Sequence, residues 1–351
     1  MIVGESEQWP ILADDLSWEE AQATLEVAGL SDGLPLVPPT SSRLAAMLSG
    51  VTDHDRSLGA MPPLYGDVTL AGIAYCCVLA GCGPAELPVV RAAVLACLDP
   101  AFNLLGTQST TGTAAIAMIV HGPIRVQLGF NGGGNCLGPG NRVNACVGRA
   151  LRLVLNNIGG ARPGIGDMAT MGQPGKYSFC FAETEIGSEN DASFPPLHVR
   201  RGMAVTSSAV TVLAPSGTIE AIPLGDGDTA ELVLEPIAAA ILGAGLASQS
   251  SKPGPEGEQF VLLPPEMANL LAKRGCDVAG VQDRLFRKIK DGLAAETSRR
   301  ARLGLFAPLP LVAAPTRIVP VVAGGVGMKM TCIPIWGGGS TVSVTREITL
   351  R

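Results

Sequence analysis

The stretch NGGGNCLGPGNRVNA, residues 131–145, sets a single cysteine and a single arginine among glycines and asparagines. Glycine lets peptide N–H groups turn toward a guest with no Cβ in the way. A helix expected to begin at Arg142 or Val143 adds partial positive charge at its N-terminus. Together these features read as an anion cradle. Asn131, Gly133, Gly134 and Asn135 supply its donors, and Arg142 stands at the loop–helix junction. The pattern is neither a Walker A loop, since no Gly-Lys-Ser/Thr follows, nor a GxGxxG. The same spacing suits a tight turn packing two elements together, and both readings stay open. Cys136 is the loop's thiol, and a helix N-terminus favours the nucleophilic thiolate. Its base would come from elsewhere in the fold, with His121 and His198 as candidates.

At 100° per residue, Arg142, Arg149, Arg152 and Asn156 share one stripe of the helix after the loop. Such a ladder can hold a carboxylate or phosphate, or face solvent. A second reactive stretch, GDMATMGQPGKYSFCFAETE (166–185), offers Asp167, Lys176, Glu183 and Glu185. Glu183 follows two phenylalanines, which predicts partial desolvation and suits a general acid or base. An ion pair to an arginine of the preceding helix is the equal alternative. His54, His121 and His198 share no metal-ligand spacing, so no metal is assigned. The hydroxyl clusters TQSTT (107–111) and Ser207-Ser208 sit in no GxSxG elbow.

The elements that must position these groups alternate between helix and strand. Helices are expected over 17–29, 68–82, 88–98, 143–160, 229–246 and 264–275, with a longer one from 278 to about 295. Ser17 and Glu20 form a capping box at the first. Strands are expected over 124–130, 179–185, 204–213, 260–263, 318–324 and the tail 341–350, and 112–122 reads as a small-residue helix running into a strand. The fold class is α/β with mixed sheets and Gly-rich loops, arranged as two α/β lobes. LPLVPPTSSRLAAMLSG (34–50) echoes FVLLPPEMANLLAKRG (260–275), and 120–135 echoes 321–340. These echoes raise an internal duplication beside chance recurrence. The expected division is 1–215 and 216–351, with the polar segment 248–259 a natural boundary. Under duplication, the later glycine loops (323–330, 336–341) face the first across a cleft, with Lys329 the cation on that side.

Hydrophobic residues make up 47% of the chain and charged residues 16%. That leaves little polar material to cover the surface and predicts a homo-oligomer. A net charge of −6 with no basic block argues against nucleic acid or an anionic membrane as partner. The N-terminus lacks the pattern of a signal peptide. The apolar run 68–82 is too short to span a bilayer and reads as a buried helix. Nine cysteines without a CxxC fit free thiols in the cytoplasm, with Cys76, Cys77 and Cys82 as small buried hydrophobes.

Several stretches together resemble a known group: DGLPLVPPT (32–40), NCLGPGNRVNACVGRALRLVLNNIGG (135–160), QPGKYSFCFAE (173–183), PLHVRRG (196–202), LLPPEMANLLAKRG and the terminal AGGVGMK…SVTREI. The chain resembles a poorly characterised bacterial family associated with UGSC-type (seleno)proteins. That resemblance implies no reaction, and the Gly-Ser-Cys redox element of the associated proteins is absent here.

The residues point to a non-redox hydrolase, lyase or hydratase acting on a small anionic, carboxylate-bearing metabolite. Arg142 and loop amides would hold the anion, with Arg149, Lys176 and Lys329 as further cations. Glu183 or His121 would move protons, and Cys136 would attack. A thiol-dependent oxidoreductase pairing Cys136 with Cys180 or Cys332, and a non-catalytic subunit of a redox partner, are the alternatives. The sequence specifies no cofactor.

Overall fold

The computed structural model describes residues 9–184, 192–247, 257–337 and 341–349. In chain order the first half contains α1 (Trp18–Val27), α2 (Ser41–Met47), β1 (Ser57–Met61), β2 (Gly66–Thr69), α3 (Leu70–Ala80), α4 (Leu87–Cys97), α5 (Leu104–Ser109), β3 (Ala117–His121), α6 (Ile124–Gln127), α7 (Arg142–Asn157), β4 (Cys180–Ala182), α8 (Leu197–Arg200) and β5 (Ala209–Leu213). There follow β6 (Ile219–Ala221), α9 (Ala230–Ala247), β7 (Gln259–Leu263), α10 (Pro265–Lys273), α11 (Val278–Arg302), β8 (Ile318–Val322), β9 (Met330–Pro334) and β10 (Val344–Glu347). β1 and β2 form a hairpin, and the remaining strands make two four-stranded sheets, so the fold is α/β with mixed sheets.

The two sheets share one wiring. The first runs β10-β5-β3-β4 and the second β6-β9-β7-β8. β3 is parallel to β4 and antiparallel to β5, while β7 is parallel to β8 and antiparallel to β9. β6, which follows β5, joins the second sheet, and β10, which follows β9, joins the first. Taken as the repeat units β3–β6 and β7–β10, each unit therefore donates its last strand to the other sheet. The 215/216 division falls between β5 and β6, and β10 then crosses back.

Matching registers pairs Val120 with Leu263, Thr211 with Thr331 and Glu183 with Ala323. Two crossover bonds exchange under this match: Trp336 N–H to Ala214 O and Ser216 N–H to Pro334 O, both 2.8 Å. Pro215 and Ile335 bridge between them. The repeat thus equates β3 with β7. The sequence echoes align otherwise, since 34–50 contains α2 and no strand, whereas 260–275 contains most of β7 and α10.

Helices cover the outer faces. α3, α4 and α7 pack together, with α4 on β5 and β10 and α7 on β4. α9 and α11 pack on each other and on the second sheet. Strand alternation divides the second sheet. Val261, Leu263, Met330 and Cys332 join the core under α9–α11, while Phe260, Leu262, Val321 and Ile333 join the core of the first sheet. The layers run helix, sheet, sheet, helix. α9 is long and apolar enough to cross a bilayer by length and composition. Its Val233, Leu234, Ile237, Ala238 and Ile241 are buried, and Glu231 and Glu235 pair with Arg284 and Lys288 of α11.

Most expected elements form, with informative exceptions. Ser17 and Glu20 cap α1 reciprocally, and Ile73 through Ala80 of α3 are buried as expected. Residues 124–130, expected as a strand, instead open with one helical turn. Gly122 turns the chain at φ 75°, Pro123 starts the turn, and the Ile124 N–H bonds Ser208 Oγ, so no ladder continues. The strand at 112–122 is confined to Ala117–His121, that at 204–213 to Ala209–Leu213, and α11 runs on to Arg302. Of the segment 248–259, residues 248–256 lie outside the described residues, Glu258 is buried and Gln259 opens β7.

α7 is tied to the following loop by a buried charge cluster. Asp167 accepts from Arg152 at 3.0 Å and from Lys176 at 2.7 Å. Burial works to raise the Asp167 pKa, but the Lys176 bond, the Ala169 N–H and the Arg152 charge outweigh it, and the group sits below its ordinary 3.8. A depressed carboxyl contributes stability above its unfolded pKa and loses it as pH falls through the folded value. Asp167→Asn should cost about 3–5 kcal/mol at neutral pH by stranding the buried Arg152 and the half-buried Lys176. In urea melts the gap between wild type and variant should close below about pH 4, and a constant gap would contradict this role.

Candidate active site

The chemistry gathers on the inner face of the first sheet. β3 ends at His121 and the parallel β4 leads into Glu183, whose N–H bonds Val120 O at 3.0 Å. This adjacency brings His121 Nδ1 to 2.7 Å from Glu183 Oε2. The Leu197 N–H donates to both carboxylate oxygens at 3.1 and 2.9 Å. Thr211 lies on β5 opposite Ile119, two residues from His121 and hence on the same face. Its Oγ1 is 2.8 Å from His121 Nε2. Thr345 on β10 sits directly opposite Thr211, with the two hydroxyls 2.7 Å apart. Arg201 Nη1 donates to Thr345 Oγ1 at 2.7 Å.

These contacts form one chain, Glu183–His121–Thr211–Thr345–Arg201. Burial works to raise the Glu183 pKa, but the hydrogen bond from His121, the Arg200 charge and the Leu197 N–H work against it, and the group sits below its ordinary value. The carboxylate is therefore ionised and accepts only, while the guanidinium donates only. With a neutral imidazole, one direction fits both ends. Arg201 donates to Thr345, Thr345 to Thr211, Thr211 to Nε2, and Nδ1–H to Glu183. His121, Glu183 and Thr211 are buried.

The Arg201 end opens into a pocket of about 360 Å³ lined by Asp99, Arg201, Glu258, Arg317, Ser343 and Thr345, among others. Arg201 is fixed there by Ser343 Oγ at 2.5 Å and by Glu258 at 3.6 Å. Burial lowers its pKa, which the Glu258 and Glu183 charges oppose and Arg317 reinforces.

His198 stacks on His121 with ring centroids 5.6 Å apart. The donor atoms of His121, Glu183 and His198 lie within 4.8 Å of one another, a two-histidine, one-carboxylate set. A cation there would have to break the His121–Glu183 bond. The Arg200 charge already favours the ionised form of Glu183. Two of the three, His121 and Glu183, already bond to each other in the relay, and His198 stands beside it against the His121 ring.

The glycine loop is turned to structural use. The Gly133 N–H bonds Asn131 Oδ1, the Cys136 N–H bonds Gly133 O, and the Asn135 side chain bonds Pro139 O. Gly132 lies so close to β4 that a Cβ would meet Ala182 O at 2.5 Å, and Gly324 N–H bonds Gly132 O at 2.8 Å. The first glycine loop and the one at 323–330 therefore meet backbone to backbone rather than across a cleft, while residues 338–340 of the loop 336–341 lie outside the described residues. Gly134 lies against Gly325 in that contact.

The expected cations go elsewhere. Arg142 turns to Gly81 O and Glu86, and Arg149 grips Asp32 through two bonds and the Pro35 carbonyl. Lys176 pairs with Asp167, and Lys329 pairs with Glu220 at the surface. Cys136 is buried, and burial raises its pKa against the nearby amides, the reverse of thiolate activation. Cys180 packs under Gly148 of α7 and Cys332 faces Ile237 O under α9, on opposite outer faces, so neither thiol of the alternative pairing shares Cys136's loop. Of the expected site residues, only His121 and Glu183 come together as a chemical pair.

Comparison of the chain with protein families, with curated proteins and with solved structures finds no match in any of the three. Thr211, Thr345, Arg200, Arg201 and Glu258 were not legible as site residues. The available signal was Thr211 at an inward position of the otherwise aliphatic strand AVTVL; Thr345 stands in SVTRE among other polar residues and carried no such signal.

Thr211→Val should cost about 1–3 kcal/mol by leaving buried hydrogen-bonding groups unpaired. Thr211→Ser should cost clearly less. Equal melting of both variants would place the hydroxyl outside the chain.

Proposed function

We propose that the protein is a small-molecule enzyme of non-redox type, a hydrolase, lyase or hydratase, acting on a small carboxylate. The observation that carries this reading is the unbroken chain from Glu183 to the pocket wall at Thr345 and Arg201. Glu183 holds the imidazole in the Nδ1–H tautomer, so Nε2 is the basic atom. A proton leaving the pocket passes through Thr345 and Thr211 to Nε2, and the imidazolium formed is stabilised by Glu183. Low dielectric around these groups strengthens each step.

Arg317 lines the same pocket as the Glu258-paired Arg201, with Asp99 also in the wall, and is the cation we assign to a substrate carboxylate. The anion-binding role first read in the glycine loop moves to this pocket, while proton transfer stays with His121 and Glu183.

A panel of carboxylate-bearing esters, amides and hydroxy acids tests the reading. Turnover found with wild type should fall about 100- to 10,000-fold in His121→Gln, with the fold checked by circular dichroism. Turnover unchanged in that variant, or none on any member, would count against it.

A further inference from the structure

Among the described residues, the pocket meets the relay at one hydroxyl. Ser343 and Thr345 both line it, but Ser343 Oγ is bonded to Arg201 and Thr345 Oγ1 alone is bonded to Thr211 and so to His121. Thr345 is half-buried, with its oxygen between a proton acceptor chain on one side and the Arg201 guanidinium on the other. A hydroxyl becomes a nucleophile when a base takes its proton and a fixed positive charge steadies the oxygen left behind. Both conditions hold at this atom. Thr345 arrives on β10, the strand returned from the other half of the chain, and its register partner in the second sheet is Glu220 opposite Thr331. With Ala323 at the position of Glu183, the second sheet has no such relay.

We propose that Thr345 is the nucleophile of this site and that the substrate is an acyl ester of a small carboxylic acid. This rests on the acid–base reading above. Thr345 Oγ1 bonds to the acyl carbon as its proton moves to Thr211 and the Thr211 proton moves to His121 Nε2. The bond from the acyl carbon to the ester oxygen breaks, and the departing alkoxide takes a proton from a water molecule in the pocket, leaving hydroxide beside the acyl-threonine. The hydroxide attacks the acyl-threonine and releases the acid, and the freed Thr345 oxygen takes a proton from Thr211, which takes the proton held on His121 Nε2. The net change is ester plus water to acid plus alcohol. The carboxylate of the substrate faces Arg317.

The test uses the full chain with 4-nitrophenyl acetate and 4-nitrophenyl hydrogen succinate, followed by digestion and peptide mass spectrometry. The expected result is an acyl group on Thr345, formed at least about tenfold more slowly in His121→Gln. Labelling should persist in Thr345→Ser and vanish in Thr345→Val. Acylation at other residues with Thr345 unmodified, or equal labelling in His121→Gln, overturns the proposal. His121-dependent turnover that survives Thr345→Val also overturns it while leaving the acid–base reading standing. Absence of any His121-dependent reaction with either ester removes the nucleophile.

Discussion

A buried carboxylate that can only accept and a guanidinium that can only donate fix the ends of a hydrogen-bonded chain, and everything between must align with them. Two threonines and one imidazole fill the gap between Glu183 and Arg201 at 2.7 to 2.8 Å spacings. Each internal member has a partner on both sides, so a polar network stands inside an aliphatic core without orphaned groups. Remove one hydroxyl and the two halves lose their agreement on direction. Much of the architecture serves to bring these five side chains to one face.

The sheet wiring shows how. His121 and Glu183 come from a parallel pair, and a parallel pair needs a long crossover, here the glycine loop and α7. Thr211 lies one strand over, and Thr345 comes from β10, more than a hundred residues later in the chain. The strand exchange makes the site a product of both halves, since a half without its returned strand lacks the pocket end of the relay. The glycines at 132–134 and 324–325 let the two sheets' loops touch at backbone distance. The stretch that looked most reactive is therefore where the halves are joined.

Local chemistry was legible in the sequence and non-local pairing was not. The capping box at Ser17, the buried α3, the helix after Asn141 and the α/β class all follow from signals within a few residues. Glu183 was readable because two phenylalanines precede it, and His121 because histidines are few. Arg142 was misread because its partner, Glu86, lies 56 residues away. Arg149 likewise finds Asp32 across 117 residues. Thr345 sits in a tail whose alternation announces a strand but not its sheet. Register between distant strands is set by whole-fold packing, which one sequence does not display.

The central claim is a direction: protons in the chain point from Arg201 toward Glu183. Nitrogen-15 NMR of the histidine side chains reads this directly. At a pH where the ring is neutral, His121 should carry its proton on Nδ1, strongly hydrogen-bonded, with Nε2 bare. A neutral ring protonated at Nε2 instead would reverse the chain and remove the basic atom from the path to the pocket.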